Sequence, residues 1–159
     1  SEAGSHGRDV CGMIRQHQFD KVEIVRIEHP DNSYKALEGM VEHVKGILNE
    51  LKLPYHILRL CGGDLGFTSA ITYDFEVYST AQEKWLEISS VSNFETFQAN
   101  QLKLHFKDSD GKNRLAHTLN GSSLVLPCVL AGILENYQTP EGIVVPEVLR
   151  KYTDFDIIN

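Results

Sequence analysis

Four short segments of this 159-residue chain concentrate side chains able to do chemistry. The first runs through Gly4-Ser5-His6-Gly7-Arg8-Asp9 to Arg15-Gln16-His17-Gln18-Phe19-Asp20-Lys21-Val22-Glu23. Its glycines allow backbone amides to approach a ligand, Arg15 could clamp a phosphate, and Phe19 could stack on a base. The second is Glu87-Ile88-Ser89-Ser90-Val91-Ser92-Asn93. With Leu86 and Ile88 on one side of a strand, alternation places Glu87 and Ser89 together on the other, offering hard oxygens to Mg²⁺. The third is His117-Thr118-Leu119-Asn120-Gly121-Ser122-Ser123, read as a strand passing through glycine into a helix N-terminus that presents amides and hydroxyls to a small polar ligand. The fourth, Glu135 to Gly142 followed by Val145-Pro146-Glu147-Val148-Leu149-Arg150, reads as a helix exit and tail. Taken singly, each segment is better read as an ordinary surface hairpin, strand end, strand-turn-helix or C-terminal cap.

The elements that must position these groups follow from periodicity. Val22 to Glu28 alternates apolar and polar residues as a strand does, and His29-Pro30 breaks it. Asp31, Asn32 or Ser33 can cap a helix whose stripe is Leu37, Met40, Val41, Val44, Leu48 and Leu51, with Pro54 beyond its end. Tyr55–Cys61, Ile71–Tyr78 and Lys84–Ser89 read as strands, the last two as a hairpin. Leu102–Lys107 and Leu115–Asn120 flank the turn Asp108-Ser109-Asp110-Gly111-Lys112 and predict a second hairpin. An apolar helix is expected from Ser122 or Ser123 to about Tyr137, and a short turn from Pro146. Consecutive hairpins with two helices laid against them predict an α+β fold with an antiparallel sheet.

Bulk properties exclude several functions. No apolar run reaches the length of a bilayer-spanning helix, and residues 1–8 lack the apolar core of a signal peptide. A net charge of −7 argues against broad electrostatic capture of nucleic acid. Cys11, Cys61 and Cys128 are too far apart to signal a disulfide framework or a zinc site, a pattern that suits the cytosol.

The segments Ser1-Glu2-Ala3-Gly4-Ser5-His6-Gly7-Arg8-Asp9, Arg15 to Glu23, Glu87-Ile88-Ser89-Ser90, His117-Thr118-Leu119-Asn120-Gly121-Ser122 and Val145-Pro146-Glu147-Val148-Leu149 resemble seryl-tRNA synthetases in wording, order and spacing. The resemblance covers essentially the whole chain. It implies the class II synthetase catalytic fold, built on an antiparallel sheet, with residues 1–159 forming its C-terminal part from motif 2 through motif 3. The motif 2 arginine, motif 1 and the N-terminal tRNA-binding arm would then lie outside this chain. ATP would be contacted by Ser1, Glu2, Arg15, Gln16, Phe19, Glu87, Ile88, Ser89 and Ser90. Within that set Glu2 and Phe19 would serve the adenine, and Arg15 the γ-phosphate. Glu87 and Ser90 would hold Mg²⁺, Arg15 and Glu87 would be the catalytic pair, and Glu23, Asn120 and Ser122 would bind L-serine. The implied reaction forms seryl-adenylate and then esterifies the acceptor end of tRNA(Ser), in full-length relatives that are homodimers.

Departures from the family pattern keep other readings open. Cys128 stands where the third motif carries an arginine for the γ-phosphate, Cys11 stands where motif 2 usually has arginine, and Asn100-Gln101 replace a usual arginine pair. A neutral thiol cannot stabilise a polyphosphate, so little catalysis is expected of the isolated chain. A non-catalytic relative that keeps the fold and binds ATP or a partner is the alternative. A serine-loading enzyme for a carrier other than tRNA is a third reading, one without zinc ligands to support it.

Overall fold

The computed structural model describes Gln16 and residues 18–159; the expectations placed on Ser1, Glu2, Cys11 and Arg15 lie outside these. Strand β1 (Lys21–Glu28) leads through a 3-10 turn at Pro30–Asn32 into helix α1 (Ser33–Glu50). Leu37, Met40, Val44 and Leu48 recur at helical spacing and are buried, as the stripe predicted. Asn32 occupies the cap position, but its side chain makes no capping bond. Ser33 instead turns its hydroxyl to the Pro30 carbonyl and to Nδ1 of His117, 3.1 and 2.8 Å away.

Strands β2 (Tyr55–Arg59), β3 (Ile71–Ser79) and β4 (Lys84–Asn93) follow as an antiparallel meander. Helix α2 (Phe97–Leu102) and the small hairpin β5 (His105–Lys107) and β6 (Asn113–Leu115) come next. Strand β7 (His117–Val125) then inserts between β1 and β4, completing a five-stranded sheet in the order β1-β7-β4-β3-β2, antiparallel throughout. Helix α3 (Leu126–Asn136) follows, then β8 (Gln138–Thr139), β9 (Gly142–Val144), the short helix α4 (Arg150–Thr153) and β10 (Ile157–Ile158), the three strands forming a small separate sheet.

Helices α1 and α3 pack on one face of the large sheet. Their buried residues form a single core with Phe75 and Val77 of β3, Ile88 and Val91 of β4, and Leu119 and Leu124 of β7. The α+β architecture predicted from the hairpins is thus realised. No helix among the described residues is long and apolar enough to cross a membrane.

Three expectations are corrected. Leu102 is not the start of a strand but the last residue of α2; Lys103 adopts a left-handed conformation (φ 57°) that turns the chain into β5 at His105. The β4 strand does not stop at Ser89 but continues to Asn93, because Ser92 and Asn93 are buried and paired on both sides. Most consequentially, Gly121 does not end its strand. Residues 120–125 stay extended, and the helix starts only at Leu126, where Pro127 sits in its first turn. The reason is packing: a Cβ on Gly121 would lie 2.7 Å from both the Ser90 carbonyl oxygen and Val91 Cα, so glycine here permits strand contact instead of breaking it.

Candidate active site

With α1 and α3 on one face, the opposite face of the sheet collects the polar residues. Along β7, Leu119 and Gly121 face the helices, so Thr118, Asn120 and Ser122 face away. Ser122 opposes Glu23 across the β1–β7 ladder, and its Oγ donates to Glu23 Oε2 at 3.4 Å. Lys21 Nζ lies 3.2 Å from the same oxygen, so the carboxylate is both paired and available. The three residues expected at the serine pocket, Glu23, Asn120 and Ser122, therefore share one face on adjacent strands. Their neighbours on that face of β1, Val25 and Ile27, are 68% and 60% exposed.

The β4 side of the face differs from simple alternation. Glu76 pairs with Glu87 but Phe75 pairs with Ser89, which leaves Ile88 as an extra, fully buried residue in a β-bulge. The bulge resets the alternation. Glu87 and Ser90 share the open face, while Ser89 is buried and its Oγ donates to the Ser122 carbonyl across the gap to β7. The expectation from periodicity that Glu87 and Ser89 point together is therefore wrong. Glu87 and Ser90, which the resemblance implies as Mg²⁺ contacts, are the residues that share this face. Ile88 belongs to the hydrophobic core and contributes no open-face side chain.

Asp74 lies opposite Ser90 on β3. Its Oδ1 is buried with no hydrogen-bond partner among the described residues. Burial holds its carboxyl above the usual range; hydrogen bonding from Ser90 pulls the other way, and the negative charge of Glu76 adds to the rise. Glu76 itself is contacted by Nε2 of His56, whose ring stacks on Trp85. A carboxyl whose folded-state pKa is raised favours folding only while protonated. Its contribution is present below the unfolded pKa and is lost as pH rises through the folded value. Asp74→Asn is therefore expected to raise the thermal midpoint of the ligand-free chain at pH 7. The advantage should vanish on acidification below the ordinary carboxylate range, as thermal melts across pH would read out.

No group of three or more His, Cys, Asp or Glu residues among those described forms a metal site by itself. Glu87 and Ser90 are two hard oxygen donors on an open face. That fits Mg²⁺, which protein sites commonly hold through one or two side chains together with substrate phosphates.

Cys128 sits in the first turn of α3, buried in the core cluster. Burial, and secondarily the charge of Glu87, push its thiol pKa up, so it stays neutral at physiological pH. Cys61 is exposed, and neither is in a disulfide. Gln16 and Phe19 are not brought to the open face. Both line an apolar groove of about 670 Å³ on the helix side, together with Ile47 of α1, Leu130 and Ile133 of α3, and Tyr152. Phe19, expected to stack on adenine, instead lies among these apolar side chains.

Sequence reasoning missed α2 and its Gln98. Gln98 Oε1 accepts hydrogen bonds from Thr118 Oγ1 at 2.8 Å and Asn120 Nδ2 at 3.1 Å, which ties the helix to the open face. The available signal was Thr96 placed ahead of Phe97 and Ala99, too short a stretch for helical periodicity to register.

The model of the tRNA synthetase class II core domain (G, H, P, S and T) matches residues 1–137. The chain is 58% identical over 153 residues to the serine–tRNA ligase of Acidovorax sp. (strain JS42), covering 96% of this chain and 35% of that protein. It is likewise 58% identical over 159 residues to the serine–tRNA ligase of Chromobacterium violaceum, covering 99% and 37%. Its fold superposes on a crystal structure of seryl-tRNA synthetase from Pyrococcus horikoshii complexed with ATP. The TM-score is 0.92 at 37% identity, over 99% of this chain and 36% of that one. A crystal structure of cytoplasmic serine–tRNA ligase from Naegleria fowleri in complex with AMP gives 0.90 at 31% identity, over 99% and 38%. The chain thus spans a little over a third of the length of the curated relatives it matches. On sequence and fold together, this chain belongs to the class II tRNA synthetase core-domain family, and its likeness within that family is to the seryl enzymes.

Proposed function

We propose that this chain forms the serine- and nucleotide-facing part of a serine–tRNA ligase, corresponding to the catalytic core from motif 2 through motif 3. The observation that supports this most directly is Glu23 and Ser122 bonded across the β1–β7 ladder, with Asn120 beside them on the open face. A carboxylate set among hydroxyl and amide groups suits the hydroxyl of serine, since a hydroxyl-free rival would leave it without a partner. Glu87 and Ser90, two strands away, face the same side and suit the phosphates of ATP and their Mg²⁺.

In this reading, Glu23 accepts the serine hydroxyl proton as a hydrogen bond, and Asn120 and Ser122 orient the amino acid. The serine carboxylate oxygen then attacks the α-phosphorus, the bond to the bridging oxygen breaks, and pyrophosphate leaves. A ribose hydroxyl at the acceptor end of tRNA(Ser) afterwards attacks the seryl carbonyl and releases AMP. Mg²⁺, when bound with the nucleotide, supplies neutralisation of phosphate charge, and Glu87 and Ser90 are the residues that would hold it. Positioning and charge stabilisation do the work, with no side-chain nucleophile. Ser1, Glu2 and Arg15 belong to the proposed nucleotide contacts on the ground of resemblance, whereas Gln16 and Phe19, which line the groove on the helix side, do not. A cytosolic location and homodimerisation of the whole protein are part of the same proposal.

Cys128 favours a second reading, a relative that binds but catalyses little. A buried neutral thiol near Glu87 offers nothing to a triphosphate, where arginine would give charge-assisted bonds. Both readings retain the serine pocket. Calorimetric titration of the chain with seryl-sulfamoyladenosine, a stable mimic of seryl-adenylate, and with its alanyl counterpart tests that pocket. The seryl compound is expected to bind roughly tenfold to hundredfold more tightly, the range of one hydrogen bond to a charged group. Equal affinities would refute the proposal.

A further inference from the structure

We infer that Gln98 is a specificity-determining positioning residue for the amino-acid side of this site, an inference that rests on the serine pocket proposed above. Helix α2 lies against β7, and Gln98, half-buried, reaches from it over Thr118, itself buried, to Asn120. One oxygen, Gln98 Oε1, receives both the Thr118 hydroxyl and the Asn120 amide nitrogen, at 2.8 and 3.1 Å. A terminal amide rotates readily about its last bond, and the hydrogen-bond network decides which end faces where. With its nitrogen engaged by Gln98, Asn120 is held with the carbonyl Oδ1 directed away from α2 as an acceptor. On the same face of β7 the next residue is Ser122, bonded to Glu23. The open face therefore presents a row of acceptors, Asn120 Oδ1 and the Glu23 carboxylate, suited to a small ligand rich in N–H and O–H donors such as an amino acid with a hydroxyl side chain.

The position of α2 that makes this possible is itself anchored. Asn93, fully buried at the end of β4, accepts the Glu95 amide at 2.9 Å and donates to Ser33 Oγ of α1 at 3.2 Å. The Thr118 amide donates to the Glu95 carbonyl at 3.0 Å. Gln98 is thus presented from a rigid base, as positioning requires.

The test titrates the chain with seryl-sulfamoyladenosine and with ATP in four variants. Gln98→Leu is expected to weaken the seryl compound about fivefold to tenfold, the size of a lost hydrogen-bond contribution, while ATP affinity stays within about twofold. Gln98→Glu keeps an acceptor for both donors and should retain near-parental seryl affinity. Asn120→Ala should reproduce the Gln98→Leu loss, and the double variant should be no worse than either single one, because the two act as a unit. Unchanged seryl binding in Gln98→Leu, a parallel loss of ATP binding, or additive losses in the double variant would overturn the inference and leave the pocket standing. Loss in Gln98→Glu equal to that in Gln98→Leu would also overturn it, since Gln98 would then act through its nitrogen. If Gln98→Leu does not fold, Thr118→Val, which releases one of the two anchors, must give a smaller loss in the same direction; no loss overturns the inference. Failure of the parental chain to prefer the seryl over the alanyl compound refutes the pocket itself, and this inference with it.

Discussion

Replacing Glu23 by Ala is expected to abolish the preference of this chain for a seryl over an alanyl adenylate mimic, while binding of ATP changes little. Glu23 opposes Ser122 on the open face and is the carboxylate proposed to accept the serine hydroxyl. Its loss removes the acceptor that distinguishes a ligand with a hydroxyl from one without. The seryl compound should weaken roughly tenfold to hundredfold and the alanyl compound hardly at all. Glu23 is also paired with Lys21 at the surface, a contact whose removal costs little stability, so the variant should fold. Paired calorimetric titrations on the variant check this; equal losses for both compounds would mean that Glu23 contributes to folding or general electrostatics and not to selection.

Gly121→Ala is expected to destabilise the fold by about 3 kcal/mol or more, the upper end of what overpacking in a well-packed interior costs. The new methyl would meet the Ser90 carbonyl oxygen, Val91 Cα and Val91 Cγ2, all within 2.8 Å. Two of those atoms are backbone and cannot rotate away. Relief would require β4 and β7 to separate where Val91 pairs with Gly121, the junction between the proposed serine and nucleotide halves of the open face. Gly46 makes a fair control: a methyl there meets nothing within 4 Å, so Gly46→Ala should be neutral or stabilising by about 0.5–1 kcal/mol through helix propensity. Urea unfolding of both variants measures the difference, and equal midpoints would contradict the packing account.

Strands and helices with clean periods were legible from the residues alone. The α1 stripe is the clearest case, since burial of Leu37, Met40, Val44 and Leu48 needs only helical geometry. What failed was local exception. The bulge at Ile88 shifts which serine accompanies Glu87, and no alternating pattern announces an inserted residue. Gly121 looked like punctuation because glycine usually serves turns, yet here it answers a close approach of two strands that only tertiary packing creates. Helix α2 is six residues long, shorter than two turns, so its apolar spacing carries almost no signal.

The candidate site divides the same way. Glu23, Asn120 and Ser122 were each indicated by wording that resembles seryl enzymes, and the fold brings all three to one face. Glu87 and Ser90 join that face through the bulge. Gln16 and Phe19 do not, because the apolar groove between α1 and α3 offers Phe19 more hydrophobic contact than the polar face does. Gln98 could not be anticipated, since its importance lies in a hydrogen bond to a residue twenty-two positions away.

Following the seryl-sulfamoyladenosine titration residue by residue, through backbone and side-chain amide resonances of the labelled chain, tests the central claim most directly. Saturable shifts centred on Glu23, Asn120 and Ser122 and extending to Glu87 and Ser90, with the alanyl compound perturbing the first three far less at equal concentration, are the predicted result. Shifts confined to the groove around Phe19, Leu130 and Tyr152, or identical patterns for both compounds, would contradict the assignment of the open polar face as the serine and nucleotide site.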